Sequence, residues 1–131
     1  MAMQIGETAT RKITVEKEHL ACNVGSGSVE VFATPMVAAL MEGAAADLAQ
    51  RDLAEGLTTV GSQITVEHNA PTVVGMTVTA EAKLLETDGR TFRFSLRAWD
   101  DAGEIATGTH TRVSVKTARF LEKAAQRKER S

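Results

Sequence analysis

Between Pro35 and Ala46 every residue except Glu42 is apolar or small. A segment apolar nearly all round belongs inside a protein rather than on its surface, so this stretch demands other elements to wrap it. Thr34-Pro35 supplies its start, because threonine is a good N-cap and proline at the first helical position gives up only an amide that has no partner there. The helix is expected to run to about Leu53, with Glu55-Gly56 ending the segment. Glu42 is then a solitary carboxylate in apolar surroundings. It needs either a partner or a retained proton, unless it lies on a narrow exposed stripe.

The flanking segments read mostly as strands. Residues Gln4 to Val15 mix Thr, Ile and Val with charges, the texture of a half-exposed strand. Asn23-Val24-Gly25-Ser26-Gly27-Ser28 is too rich in glycine and serine for an element interior and reads as a loop without phosphate-loop spacing. From Leu57 the period becomes two: Ile64, Val66 and His68 share one face, Gln63, Thr65 and Glu67 the other. Pro71 interrupts this ladder, and a second strand is expected from about Gly75 to Leu85. Asp88-Gly89 is a hairpin signal, and across it Phe92, Phe94, Leu96 and Ala98 share a face opposite Arg93, Ser95, Arg97 and Trp99. A turn at Asp101 to Gly103 leads into a last strand ending near Val115, and the strands are expected to form an antiparallel meander. The tail from Lys116 to Ser131 favours helix, with Phe120, Leu121 and Ala124 forming a narrow apolar stripe. One strand, one buried helix, then several antiparallel strands make an α+β order in which the sheet curls around the helix, the hotdog fold. A short sheet with an open edge commonly extends onto a second copy, so a homodimer is expected.

Composition narrows the function classes. The 131 residues, 43% hydrophobic, suit one domain over residues 1–131. A net charge of -2 gives no overall basic field for a nucleic-acid backbone. With Cys22 alone, no intramolecular disulfide forms, which fits a reducing compartment and a cytoplasmic setting. The stretch from Met1 to Lys12 lacks an apolar core, and no segment reaches the roughly 18 apolar residues of a membrane span. Neither export nor insertion is expected.

Three side chains are candidates for chemistry. Glu42 is a candidate acid, base or nucleophile. His68 lies on the inward face of its strand, which turns the imidazole toward the helix and Glu42, and histidine suits proton transfer near neutral pH; a satisfied core histidine is the alternative. The Thr34 hydroxyl is accounted for by helix capping, and a nucleophilic or water-positioning role requires a nearby base. Thr34 and Glu42 are eight residues apart, about 12 Å along a continuous helix. A site that unites them directly must borrow one from a second subunit. His19 and His110 lack metal-ligand spacing, and no metal is expected. Met36, Leu40 and Met41 read as core. The basic tail, with Lys116, Arg119, Lys123, Arg127, Lys128 and Arg130, can meet a nucleotide phosphate but reads first as a solvated helix face.

The run Val31-Phe32-Ala33-Thr34-Pro35-Met36-Val37-Ala38-Ala39-Leu40-Met41-Glu42 resembles the fluoroacetyl-CoA thioesterase family, in which a VFAT segment opens a helix ending in LME. The similarity extends to Gly61 seven positions before His68, to Glu67-His68 with Pro71 three residues on, and to Gly108-Thr109-His110-x-Arg112. It spans nearly the whole chain. The resemblance implies a hotdog dimer with a catalytic Thr34, Glu42 and His68, and a substrate-binding set of Gly61, Phe32 and Arg112. Gly61 is the position whose backbone approaches the acyl group or thioester oxygen. The aromatic residues that the fluoroacetyl-specific branch carries shortly before VFAT have no counterpart in Ser26-Gly27-Ser28. The expected substrate is therefore a small or short-chain acyl-CoA, with no cofactor beyond the coenzyme A of the substrate itself. Two rivals remain: a non-catalytic acyl-CoA or small-ligand binder, and an enoyl-CoA hydratase. The hydratase needs an Asp and His pair, and no Asp stands four or five residues before a His here.

Overall fold

The structure, a computed structural model, describes residues 3–131. Its strands are β1 (Thr8–Thr14), β2 (Leu57–His68), β3 (Thr77–Thr87), β4 (Thr91–Asp100) and β5 (Gly103–Lys116). Its helices are α1 (Ala21–Val24), α2 (Thr34–Gln50) and α3 (Thr117–Arg130), with one 3-10 turn at Lys17–His19. The strands form one antiparallel sheet in the order β1-β3-β4-β5-β2. The α2 helix packs on it chiefly through β3, β1 and β2.

Small side chains set how closely helix and sheet approach. Ala44, Ala45 and Ala49 of α2 are fully buried, as are Ala80, Ala82 and Ala98 of the sheet, and between them Val37, Met41, Leu48, Leu84 and Phe94 fill the remaining volume. Each larger side chain buried in this way contributes roughly 1.5–3 kcal/mol relative to exposure. Met36 and Leu40 pack at the margin of this core. The opposite stripe of α2, including Pro35, Ala39 and Asp47, stays uncovered. Asp47 there takes a paired contact from Arg11 of β1 at 2.7 and 2.9 Å. The helix is thus buried on one side and open on the other, and it ends at Gln50, before the expected Leu53.

The alternation in β4 is as expected: Phe92, Phe94, Leu96 and Ala98 are buried, while Arg97 lies over the Trp99 ring on the other face. The Asp88-Gly89 hairpin forms, with Asp88 Oδ1 accepting from the amides of Arg90 and Thr91 and Gly89 at a φ of 91°. The meander requires a correction. β3, β4 and β5 follow one another, but β2 pairs with β5 at the far side of the sheet from β3. The segment between β2 and β3 has no two-residue turn and crosses the end of the sheet instead, where the buried Thr72 hydroxyl donates to Asp100 Oδ2 at 2.8 Å. Two further boundaries differ. The first strand is shorter than Gln4 to Val15, and the Asn23 to Ser28 loop begins inside α1, which Gly25 closes at a φ of 92°. The α3 helix is exposed along its length, with Phe120 and Leu121 uncovered. Among the described residues no helix is long and apolar enough to cross a membrane.

Candidate active site

Two clusters of polar side chains lie along α2 and β2. At the first, the Thr34 hydroxyl and His68 Nδ1 are 2.8 Å apart. Thr34 is not the N-cap expected of it. Ala33 occupies that place with extended backbone, its carbonyl accepting from the amides of Met36 and Val37, so Thr34 is the first helical residue and Pro35 the second. Its hydroxyl is thereby free for the imidazole. Burial depresses the His68 pKa, with the Ala70 backbone pulling in the opposite direction. The neutral ring, able to accept a proton, is the favoured form. Among the described residues His68 Nε2 is the buried side-chain polar atom left without a hydrogen bond. A cavity of about 230 Å³ opens beside the pair, walled by Phe32, Val31, Ala21, Ser26 and Pro71. Phe32 is held there by a bridge to Leu20 and an amide bond to the Thr72 carbonyl.

At the second cluster Glu42 faces Gly61, Arg112 and His110. A Cβ placed on Gly61 would stand 2.9 Å from Glu42 Oε2 and 3.1 Å from His110 Cε1, so glycine is what lets the carboxylate and the strand meet. Arg112 pairs with Gly61 across β2 and β5, and its buried guanidinium is tied on three sides. It donates to the Thr59 hydroxyl and carbonyl at 2.8 Å each, and Nη1 lies 3.2 Å from His110 Nε2. His110 Nδ1 in turn meets the Gln63 carbonyl at 2.7 Å, just past the Ser62 bulge of β2. With Nδ1–H donating to that carbonyl, Nε2 is free to accept from Arg112, which makes His110 neutral. Burial pushes its pKa down in keeping with this, the adjacent Arg112 charge adding to the effect and Gln63 and Glu42 opposing it. Glu42 Oε2 stands 4.0 Å from His110 Nε2, and the carboxylate is 40% exposed. Glu42 is therefore neither deeply buried nor on a bare surface stripe: one side touches the cluster and the other is open.

The site residues expected from sequence thus fall into two groups. Thr34, His68 and Phe32 come together, as do Glu42, Gly61 and Arg112, but within one chain His68 bonds to Thr34 and not to Glu42. The histidine beside Glu42 is His110, which the sequence placed in the Gly108-Thr109-His110-x-Arg112 segment without a catalytic role. Its signal was periodicity: Ala106, Gly108, His110 and Arg112 occupy every second position, on the face that β2 presents through Ile64, Val66 and His68. His19 has a local role, accepting from the Glu16 amide at 3.0 Å. No group of three or more His, Cys, Asp or Glu converges as a metal site among the described residues.

Residues 15–118 match the fluoroacetyl-CoA-specific thioesterase family. The fluoroacetyl-CoA thioesterase of Streptantibioticus cattleyicolor is 37% identical over 98 residues, 75% of this chain and 70% of that one. A solved structure of the fluoroacetyl-CoA thioesterase FlK superposes with a TM-score of 0.90 at 31% identity, covering 96% of this chain and 98% of that one. A Thermus thermophilus thioesterase superfamily member gives 0.91 at 26% identity over 98% and 96%. The matched range of residues 15–118 spans the chain from α2 to β5, and the chain belongs to the fluoroacetyl-CoA-specific thioesterase family.

Proposed function

We propose that this protein hydrolyses the thioester of a small or short-chain acyl-CoA, as a homodimer in which each site takes Thr34 and His68 from one copy and Glu42 from the other. The observation that carries the reading is the 2.8 Å contact between the Thr34 hydroxyl and a depressed-pKa His68 at the mouth of a small cavity. A hydroxyl held on a neutral imidazole is the arrangement proton transfer needs. His68 takes the proton of the incoming oxygen through Thr34 as the thioester carbon is attacked, with Glu42 as the carboxylate at that carbon. It then gives the proton to the coenzyme A sulfur as the C–S bond breaks. Water and thioester become free acid and thiol, with coenzyme A entering only as part of the substrate. A cavity of about 230 Å³ suits a small acyl group.

Strand geometry supports the dimer. β2 is an edge of the sheet, paired on one side only, and an edge of this length invites a second strand. Antiparallel pairing of two β2 strands about an axis midway between Ile64 and Thr65 sets Gly61 opposite His68 of the second copy. The 12 Å or so of helix separating Thr34 from Glu42 in one chain is then bridged between chains.

Mixing two inactive variants tests both parts. His68→Ala and Glu42→Gln should each lower thiol release from acetyl-CoA at least about a hundredfold. Co-refolded in equal amounts they should recover about a quarter of wild-type activity, because half the dimers carry one intact site. No recovery would place each site within one chain. A wild-type protein that binds a non-hydrolysable acetyl-CoA analogue but releases no thiol from any short acyl-CoA would be a binder.

A further inference from the structure

Asp100, at the end of β4, is buried at 8% exposure, and among the described residues no cation pairs with it. A carboxylate taken out of water in this way is costly unless its oxygens are bonded. One oxygen serves the β4–β5 turn: Oδ1 accepts from the Ala102 amide at 2.8 Å, an ordinary use of aspartate in a turn. The other does not. Oδ2 accepts from the Thr72 hydroxyl at 2.8 Å, a contact between residues 28 positions apart. The turn accounts for Oδ1 alone, so the second bond belongs to what Thr72 holds.

Thr72 is fully buried in the segment that crosses from β2 to β3, while Val73 and Val74 after it are exposed. Its side chain is thus the inward anchor of the crossing. Its carbonyl accepts from the Phe32 amide at 2.8 Å. Phe32 stands two residues before Thr34, and Thr72 four residues after His68. The chain therefore closes a ring: from His68 to Thr72, across the hydrogen bond to Phe32, on to Thr34 and back through the 2.8 Å contact to His68 Nδ1. One arm of the ring is fixed by the Asn69 and Ala70 amides on the Ile105 carbonyl, at 2.7 and 3.3 Å, the other by the Ala33 amide on the His19 carbonyl at 2.9 Å. Between these anchorages Thr72 is held by Asp100. We propose that Asp100, through Thr72, is a positioning residue for the Thr34–His68 pair: its carboxylate sets the crossing segment against which Phe32, and with it the start of α2, is registered. This rests on the hydrolase reading above.

Two substitutions cut the tie from opposite sides. Thr72→Val removes the hydroxyl at constant shape, and Asp100→Ser keeps an acceptor for the Ala102 amide but does not reach Thr72. Each should lower kcat for acetyl-CoA about tenfold or more, as misplacement of a reacting pair does, with KM little changed. Thr72→Ser, which keeps the hydroxyl, should retain most of the activity, and the two substitutions combined should lose no more than the larger single loss. Because the chain has three histidines, NMR titration follows His68 directly. In Thr72→Val its pKa should rise from its depressed value toward 6.5 as the ring meets water, with that of His110 in place. A tie that serves stability alone lowers the unfolding midpoint and leaves kcat of the folded protein and the His68 titration unmoved. That result overturns the proposal, as does an equal loss in Thr72→Ser and Thr72→Val. Should Thr72→Val not fold, Asp100→Ser, which strands no carboxylate, carries the same comparison. If the wild type releases no thiol the hydrolase reading falls, and the titration still decides the tie: a His68 shift supports it, and no shift overturns it.

Discussion

The two ends of the α2 polar face are built in opposite ways. Beside Glu42 the buried side chains form a closed network: Arg112 is tied to Thr59 and His110, and His110 to the Gln63 carbonyl. At the Thr34 end one short contact stands beside an open cavity, and His68 Nε2 has no partner. A saturated buried network fixes its members and is costly to break. A sparse pair with free valence is where a ligand or a second chain can be received. In the proposed mechanism one end serves as scaffold beside Glu42 and the other as the place where protons move.

That contrast can be broken by experiment. The largest effect is expected at the sparse end. Thr34→Val should cut kcat about a hundredfold, whereas Thr34→Ser, which keeps the hydroxyl, retains most of it; both should leave the unfolding midpoint unchanged within about 0.5 kcal/mol of stability. A large loss of stability in Thr34→Val would erase the distinction. Next, Gly61→Ala puts a methyl group against the Glu42 carboxylate and should lower kcat about ten- to hundredfold by displacing it, read with acetyl-CoA at saturation. At the saturated end, Arg112→Met strands the Thr59 carbonyl and His110 Nε2 and should cost about 3 kcal/mol in denaturant unfolding. An unperturbed midpoint there would remove the scaffold role.

The smallest effect is in pH dependence. His68 and His110 both have pKa values lowered by burial below the ordinary histidine value of 6.5. The unfolded chain then binds protons more readily than the folded one. Their contribution to stability is complete above pH 6.5 and is lost as pH falls through the depressed folded values. The unfolding midpoint should decline on that acid side, less steeply in His110→Gln. The acid limb of kcat/KM should likewise lie below 6.5 if His68 acts as a base; a limb above that value would contradict a neutral buried imidazole.

Much of the fold was legible because it depends on local pattern. The apolar run of α2 demanded a wrapping sheet, the alternation of Phe92, Phe94, Leu96 and Ala98 gave the buried face of β4, and Asp88-Gly89 marked its hairpin. The order of strands was less legible, since a crossing between β2 and β3 and a tight turn both begin with a broken ladder at Pro71. Pairing of β2 with β5 is a contact between residues over forty positions apart, as Gln63 and His110 show.

The site divides along the same line. Sequence alone determined which side chains stand on the inward faces, since helical and strand periods fix direction, and it placed Thr34 and Glu42 too far apart on one helix to meet directly. Only the tertiary structure decided partners. It gave Thr34 to His68 instead of to helix capping, and it brought His110 rather than His68 to Glu42. The reason is physical: a period states which way a side chain points, but the distance to a group on another strand depends on the register of the sheet and on how the helix crosses it.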